Sequence, residues 1–388
     1  MIPLHAPYIS RSDVRKVTET LRSGWVSSSG KLINQFENKI SNFTGSKYCV
    51  AVSSGTSSLH LALLSIGVQA NDEVIVPTIT FIAPINAVSY IGAKPIFMDV
   101  DKYLNIDSSN VIDFLKNNIF MRNGNAFNKK TKRRISAIII VHVFGNPANF
   151  EDLKKICREK NIQCVEDAAE GLGSYYSSGK FKNKHVGSIS KIGCISFNGN
   201  KIITTGAGGA IITNSKKIYN KIKYLSTQAK DDDIKYIHNE IGYNYRMPNI
   251  LAALGITQLN SIKSNLIKKR KINELYSKNF HQVQNIEILS EPEYGKSNFW
   301  LNIIKFRKVT KKNFVENIVK YLATRGIQAR PLWTPNHMQK PYLQCQTYKI
   351  KNAQKYYRSC LCLPSSNNLS VKEVKYICST IKDYLLKN

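Results

Sequence analysis

The residue best suited to covalent chemistry is Lys201, which stands in a polar, glycine-rich turn between two apolar segments, 192–197 and Gly209–Thr213. Glycine allows a backbone to approach a ligand closely. An amine attacks a carbonyl when it is partly desolvated and near other positive charge, because it is then neutral often enough to react. Lys201 is therefore a candidate for Schiff-base chemistry, and the alternative is an ordinary surface lysine.

A carboxylate stands at the end of another apolar segment. Residues 162–167 read as a buried strand that ends at Asp167, and Glu170 follows. A carboxylate in such a place is costly unless a cation or hydrogen bonds compensate it. The protonated pyridine nitrogen of a bound cofactor would be such a cation. The pairing would keep the pyridine ring an effective electron sink. The alternative is that Asp167 caps the next helix.

A candidate phosphate cradle follows a third predicted strand, Tyr48–Val52. Small hydroxylated residues and a glycine occupy positions 53–58, and apolar residues at helical spacing come next. The free N–H groups of a helix start then lie at the carboxyl end of a strand, where they bind phosphate. Ser and Thr also open many ordinary helices, so this segment alone does not decide the function.

The elements that must position these groups alternate along the first two thirds of the chain. Segments of helical period separate short apolar, β-branched runs, most of them too hydrophobic to have a wet face. The runs are Tyr48–Val52, Glu73–Pro77, 95–100, 135–144, 162–167, 192–197 and Gly209–Thr213. This pattern predicts an α/β domain around a largely parallel, buried sheet.

The character of the sequence changes near residue 260. A Lys-rich helical stretch leads into short strands, a helix over 311–326, another strand and a final helix. We therefore predict a large domain over 1–260, including the N-terminal segment, and a small C-terminal α+β domain over 261–388.

The composition limits the partners. The 388 residues carry a formal net charge of +30, which would suit a nucleic-acid binder. The basic clusters at 129–134 and 268–271 alternate with Asn and Ile rather than with aromatic residues and glycine, and Lys, Asn and Ile are abundant throughout. A solvated basic surface without a nucleic-acid partner is the better interpretation, and it would help to attract a diphosphate.

Membrane and metal functions are not indicated. No apolar run approaches the ~20 residues that cross a bilayer, and the first residues lack a signal-peptide pattern, so we expect a cytoplasmic protein with no membrane partner. The 8 cysteines are scattered. The one close pair, Cys360 and Cys362, has no nearby histidine or third cysteine to complete a zinc site, so we expect reduced thiols and no metal.

The order of cradle, strand-end aspartate and lysine resembles fold type I pyridoxal-phosphate (PLP) enzymes. More narrowly, the chain resembles the DegT/DnrJ/EryC1/StrS family of sugar aminotransferases. The matching segments run nearly end to end and are 24–27, 53–56, 77–81, 141–145, 166–169, 196–209 and 242–247. The resemblance implies an aspartate-aminotransferase-like fold, with a mostly parallel seven-stranded sheet in the large domain.

The resemblance also implies a role for each site residue. Lys201 would carry PLP, and the other cofactor contacts would be Gly55, Thr56 and Ser196 to the phosphate, Phe81 stacked on the ring, Asp167 at the pyridine nitrogen and Glu170 near the phenolic oxygen. Asn244 would reach the phosphate of the neighbouring subunit, so each active site would need a homodimer. Phe81 as plain core and Asn244 as a turn residue are the alternatives.

The sugar side of the site is expected in the small domain. Arg330 ends a predicted strand there and His337 follows it, so either side chain could face the donor carboxylate or the sugar. A surface ion pair and a loop histidine are the alternatives for these two residues.

The expected reaction moves an amino group from L-glutamate to a nucleotide-linked 4-keto-6-deoxy sugar. The loop at 121–134 and the strand after it look similar to the branch that makes 4-amino precursors of legionaminic acid, which favours a UDP-linked 2-acetamido-2,6-dideoxy-4-keto-hexose. A GDP-linked 4-keto sugar of the perosamine type and a 3-keto sugar are the alternatives. Ala207 and Glu170 depart from many relatives, which carry Glu at the first position and His or Gln at the second.

Other functions fit the residues less well. In the sugar 3-dehydratases of this fold histidine replaces the lysine, so Lys201 argues against that activity. A non-catalytic PLP-fold regulator or a nucleic-acid-binding protein would be expected to carry an appended DNA-binding helix pair, and none is visible in the sequence.

Overall fold

The computed structural model describes residues 1–232, 234–309 and 313–387. Its α-helices are α1 (Arg11–Arg22), α2 (Lys31–Thr44), α3 (Gly55–Ser65), α4 (Ala83–Tyr90), α5 (Ser108–Asn117), α6 (Glu151–Glu159), α7 (Lys216–Ser226), α8 (Asn249–Asn260), α9 (Ile262–Phe280), α10 (Phe314–Thr324), α11 (Asn352–Ser359) and α12 (Val371–Lys387). Its strands are β1 (Tyr48–Val52), β2 (Glu73–Pro77), β3 (Lys94–Met98), β4 (Ile119–Arg122), β5 (Asn125–Asn128), β6 (Ile135–Val141), β7 (Gln163–Asp167), β8 (Tyr175–Tyr176), β9 (Ile192–Ser196), β10 (Gly209–Thr213), β11 (Lys230–Asp232), β12 (Ile237–His238), β13 (Ile286–Ile288), β14 (Gly295–Lys296), β15 (Asn302–Phe306), β16 (Arg330–Pro331), β17 (Thr347–Tyr348) and β18 (Cys360–Leu363).

The central sheet has the strand order β1-β10-β9-β7-β6-β2-β3-β17. Strand β10 pairs antiparallel with both of its neighbours, and the remaining pairs are parallel. The seven predicted strands are all present, which confirms the predicted α/β fold class. The eighth strand, β17, has two residues and joins the edge beside β3. Asp99 anchors the segment that follows β17, because it accepts hydrogen bonds from the N–H groups of Lys351, Asn352 and Ala353.

The sheet is buried on both faces because its strands carry apolar side chains on both sides. In β6, Ala137 and Ile139 belong to one core, whereas Ile138 and Ile140 belong to another. Helices α2, α3 and α8 contribute to the first core, and α5 and α6 contribute to the second. The continuous apolar runs of the sequence therefore indicate a parallel sheet that is covered by helices on both faces.

The segment at 121–134, which we expected to be a loop, contains most of a β-hairpin. Strands β4 and β5 pair antiparallel around Asn123 and Gly124, whose φ angles are 50° and 72°. Asn-Gly is the dipeptide that favours a two-residue turn with positive φ at both positions, so this hairpin was visible in the sequence and was missed.

The C-terminal part contains an antiparallel sheet of order β13-β15-β18-β16. Helices α9, α10 and α12 share one apolar core with it. The helix expected over 311–326 is seen as α10, and residues 311 and 312 lie outside the described ranges. Ile2 forms a parallel bridge with Ile327, while β17 joins the large sheet, so the proposed boundary near residue 260 stays a prediction.

Features typical of membrane spans and metal sites are absent from the described residues. Within them, no helix combines the length and the apolar character needed to span a bilayer. The cysteines are free, and in the same part of the chain no group of three His, Cys, Asp or Glu side chains is arranged to hold a metal ion.

A buried ion pair joins α2 to the chain that leads into α8. The side chains of Glu37 and Arg246 are each only 8% exposed and are hydrogen-bonded to each other. Glu37 also accepts from the N–H of Ala51 (2.7 Å), and Arg246 donates to the Ala51 carbonyl (3.2 Å). The pair therefore holds strand β1 against both segments, just before the chain enters the candidate cradle.

We predict that Arg246→Met lowers the free energy of unfolding by about 3–5 kcal/mol, because it leaves the Glu37 carboxylate buried without its cation. Arg15→Met is the matched control, since its pair with Glu19 is 78% and 56% exposed and contributes at most about 1 kcal/mol. Urea unfolding of the cofactor-free protein measures both. Equal midpoints for the two variants would contradict the prediction.

Candidate active site

A cavity of about 660 Å³ lies where strands β1, β7 and β9 end. Ligands of open α/β sheets bind at such carboxyl ends. Its lining includes Ser54, Gly55, Thr56, Phe81, Phe144, Asp167, Glu170, Ser196, Asn198, Lys201, Trp300, Arg330, Trp333 and Tyr357. Eight of the ten predicted site residues are thus brought together; Asn244 and His337 are not in the lining.

The first turn of α3 forms one end of the cavity. Ser54 is the N-cap of the helix and accepts from the N–H of Ser57 (3.0 Å). A Cβ at Gly55 would lie 2.9 Å from the Cβ of Ser196, so only glycine lets the serine side chain pack against the helix start. The N–H groups of Gly55 and Thr56 lie in the first turn of the helix, where the helix itself offers them no acceptor, which makes this end suited to an anion.

Lys201 lies in a largely buried environment with one carboxylate. Its Nζ atom is 3.5 Å from Oε1 of Glu170 and 4.0 Å from the centroid of the Trp300 ring, and its side chain is 13% exposed. The other oxygen of Glu170, Oε2, accepts from the N–H of Phe144 (2.7 Å). Burial raises the pKa of Glu170 to about 7, although Lys201 and the Phe144 N–H oppose it. Glu170 therefore titrates near neutral pH with one of its oxygens facing Nζ of Lys201.

Asp167 is the last residue of β7 and is buried. One carboxylate oxygen accepts from the N–H of Ala169 (2.9 Å). Burial raises the pKa of Asp167 above its ordinary value, while this hydrogen bond and the charges of Lys201 and His142 oppose the rise. A cation in the cavity would compensate the carboxylate, as a protonated ring nitrogen would.

The neighbouring carboxylate, Glu166, faces the opposite side of the strand. It accepts from His142 Nε2 (3.0 Å) and from the N–H groups of Gly187 and Ile189 (2.8 Å each). His142 Nδ1 accepts from the N–H of Ala148, so Nε2 carries the proton. Burial raises the pKa of Glu166, but these hydrogen bonds and His142 outweigh it, so the net shift is downward. Glu166 thus fixes the loop that precedes β9.

The two predicted residues outside the lining have definite positions. Asn244 is exposed and bridges Thr227, so it does not contact the cavity of its own chain. Nδ1 of His337 lies 2.7 Å from Oγ1 of Thr78, at the end of β2. Asn336 holds this turn there by donating to the Thr80 carbonyl (2.9 Å), so His337 is held at the end of β2, and its expected role toward the substrate stays a prediction.

An aromatic wall was missed by the sequence analysis. The ring of Phe144 stacks on Trp333 at 4.5 Å with an interplanar angle of 4°, and on Trp300 at 6.0 Å and 20°. Trp300 lies just before β15 and Trp333 just after β16, and an aromatic residue beside an apolar strand is normally core. No spacing signal distinguishes a ring that faces a cavity from one that faces a core.

A second lysine corrects the expectation that the basic cluster at 268–271 is solvated. Lys269 is completely buried and donates to the carbonyl oxygens of Trp300 (2.7 Å) and Ser365. Burial lowers its pKa. Lys269 lies on α9, and its amine anchors the backbone carbonyl of Trp300, whose ring lies over the Lys201 amine.

These groups fit the parts of PLP. The α3 start with Ser196 would hold the phosphate, Asp167 the ring nitrogen, and Lys201 the aldehyde carbon. When bound, PLP supplies an electron sink for a carbanion beside its ring. The fold and the cavity together define a PLP-dependent enzyme of fold type I.

Comparison with known proteins narrows this class. Residues 7–382 match the DegT/DnrJ/EryC1/StrS aminotransferase family, and the chain belongs to that family. It is 35% identical to the GDP-perosamine synthase of Escherichia coli O157:H7, over 99% of this chain and 98% of that protein. It is 29% identical to the UDP-4-amino-4,6-dideoxy-N-acetyl-beta-L-altrosamine transaminase of Campylobacter jejuni, strain 81-176, over 100% and 98%. The solved structure of Helicobacter pylori PseC, an aminotransferase involved in pseudaminic acid biosynthesis, superposes with a TM-score of 0.87 at 26% identity and covers all of both chains.

The protein is therefore a PLP-dependent sugar-nucleotide aminotransferase. The family, the cofactor and the enzyme class predicted from the sequence are confirmed. The roles of the individual side chains stay predictions, supported by their positions around the cavity.

We predict that Glu170→Gln changes how stability depends on pH in the cofactor-free protein. The pKa of Glu170 rises from its ordinary value of 4.5 to about 7. Its contribution to the free energy of unfolding is therefore full below pH 4.5 and is lost as the pH rises through 7. Between pH 4.5 and 7, the free energy of unfolding of the wild type should fall by up to about 3 kcal/mol relative to that of Glu170→Gln. Urea unfolding at several pH values measures the difference.

Glu166→Gln is the matched control with the opposite sign. Because the pKa of Glu166 is lowered, its contribution is present above its ordinary pKa and is lost as the pH falls. Parallel pH profiles for the wild type and Glu170→Gln would show that Glu170 does not titrate as described.

Proposed function

We propose that this enzyme transfers the amino group of L-glutamate to C4 of a nucleotide-linked 4-keto-6-deoxy sugar. The observation that carries the proposal is end-to-end similarity to enzymes whose names specify such products, among them a 4-amino-4,6-dideoxy sugar transaminase. The sequence analysis placed a UDP-linked sugar first. The 35% identity to a GDP-perosamine synthase instead favours a GDP-linked substrate, with the UDP-linked sugar as the second candidate.

Lys201 is the proton carrier in this proposal. When its Nζ is not attached to the cofactor, it takes a proton from the α-carbon of the donor amino acid and later returns one to C4 of the sugar. Glu170 Oε1 lies 3.5 Å from Nζ, and its pKa of about 7 matches the operating range of such an exchange. Glutamate leaves as 2-oxoglutarate, and the keto oxygen of the sugar leaves as water.

The cavity has the size and charge for these substrates. Its volume of about 660 Å³ lies within the ~300–1,000 Å³ typical of ligand pockets. Arg330 lines it, is exposed, and has no ion-pair partner among the described residues, so its guanidinium is available for the donor carboxylate or a diphosphate. Trp333 offers a flat apolar surface to the sugar ring.

The proposal includes a homodimer with shared active sites. Asn244 is exposed outside its own cavity, and Phe81, at the rim, is 54% exposed for a large apolar side chain. A second copy that covers this region would bring its Asn244 to the phosphate end of the site.

We expect the purified enzyme with PLP to move ¹⁵N from labelled glutamate into a GDP-linked 4-keto-6-deoxyhexose, and more slowly into its UDP-linked 2-acetamido counterpart. Mass spectrometry of the nucleotide sugar measures the transfer, and Lys201→Ala is the inactive control. Labelling of a 3-keto sugar nucleotide in place of both 4-keto substrates would refute the proposed position of amination.

Shared sites predict that two inactive variants restore activity when mixed. In a dimer of one Asn244→Ala and one Lys201→Ala protomer, one site carries neither lesion, so random exchange restores about a quarter of wild-type activity. Gel filtration after exchange and steady-state rates measure this result. A fully active Asn244→Ala variant, or no recovery in a mixed dimer, would argue against sharing.

A further inference from the structure

Phe144 has a backbone conformation that is unusual for a bulky residue. Its φ and ψ are 55° and 20°, in the left-handed region, and its side chain is only 2% exposed. For a residue with a Cβ this conformation costs on the order of 1 kcal/mol or more and persists only where the surroundings impose it. A residue that merely filled the core would not need it.

The conformation determines where one N–H group points. The N–H of Phe144 donates to Oε2 of Glu170 at 2.7 Å, and the other oxygen of that carboxylate lies 3.5 Å from Nζ of Lys201. Each oxygen of Glu170 therefore has its own partner: Oε2 accepts from the Phe144 N–H, and Oε1 faces the Lys201 amine. If the Phe144 N–H turned away, the carboxylate would lose its fixed orientation toward Lys201.

Two tryptophans hold this conformation through the side chain. The Phe144 ring stacks against Trp333 at 4.5 Å and Trp300 at 6.0 Å, and Trp300 itself lies 4.0 Å from the Lys201 amine. Stacked aromatic pairs add about 0.5–1.5 kcal/mol each beyond their burial, which is enough to offset the backbone cost.

The residues on either side of this contact are also fixed. The carbonyl of Gly145 accepts from Oγ of Ser174 at 2.6 Å, and a Cβ at Gly145 would lie 1.9 Å from Oδ1 of Asn298. The amide of Asn298 donates to the carbonyl of Glu170 at 2.7 Å. The turn that carries Phe144 and the segment that carries Glu170 are therefore locked together through one side chain.

We propose that Phe144 is a positioning residue for the proton-exchanging pair. Its left-handed backbone directs an N–H group at Glu170 and so holds the carboxylate on Lys201, and its ring, between Trp300 and Trp333, holds that backbone in place. The inference rests on the roles proposed above for Lys201 and Glu170, and it is independent of which sugar is the substrate.

The test is the pH titration of tryptophan fluorescence in the cofactor-free protein, since Trp300 lies beside the pair. Glu170→Gln should abolish a transition near pH 7, which assigns that transition to Glu170. Phe144→Val disfavours positive φ and removes the stack. It should raise the midpoint by about one pH unit, because a lost hydrogen bond to a carboxylate raises its pKa. Phe144→Tyr should restore the wild-type midpoint.

Phe114→Val is the matched control, because Phe114 is also fully buried but lies in the core on the other face of the sheet. It should lower the melting temperature without moving the midpoint. Should Phe144→Val not fold, Phe144→Leu keeps most of the buried volume and carries the same expectation. A midpoint unchanged in these Phe144 variants would overturn the proposal, whereas a transition that survives Glu170→Gln would remove the proposed role of Glu170 itself.

Discussion

The buried contact between the Lys201 amine and the Glu170 carboxylate is the interaction on which the rest of the site depends. Each group alone would be costly to bury, and together they need further hydrogen bonds to remain charged. The Phe144 N–H provides one, and the Trp300 ring covers the amine. Lys269, buried behind that tryptophan, holds its carbonyl. The aromatic wall and the second lysine thus support the pair.

The strand β7 shows how one sheet serves two purposes. Glu166 and Asp167 are adjacent, so their side chains lie on opposite faces of the strand. Glu166 is surrounded by N–H donors and His142, which lowers its pKa and makes it a structural anchor. Asp167 has one backbone donor and a cavity beside it, and burial raises its pKa. Two adjacent carboxylates therefore have opposite pKa shifts, because protein donors surround one and a cavity adjoins the other.

The proposed substrate contact and the proposed proton-exchanging pair come from different parts of the chain. Lys201, Glu170 and the start of α3 belong to the large sheet and its loops, whereas Arg330 comes from β16 of the C-terminal sheet, with Trp333 close behind it. The family shares the cofactor chemistry, and its members carry names that specify different nucleotides and sugars. Under the proposed roles, Arg330 is the position where a change would alter the substrate, whereas Trp333 is tied to Glu170 through its stack on Phe144.

The sequence by itself determined the fold class and identified eight residues that line the cavity. Apolar, β-branched runs encode the strands locally, and parallel pairing necessarily gathers their carboxyl ends, so Lys201, Asp167 and Gly55 could be placed at one edge. The β4–β5 hairpin was equally predictable, because the Asn-Gly dipeptide of its turn is a local signal. Tertiary structure decided what depends on distant neighbours: Asn336 holds the His337 turn to residues more than 250 positions earlier. The stack of Phe144 on Trp333 and the burial of Lys269 likewise cannot be predicted from the local sequence pattern. Elements that are distant in sequence pack against these side chains and determine their surroundings.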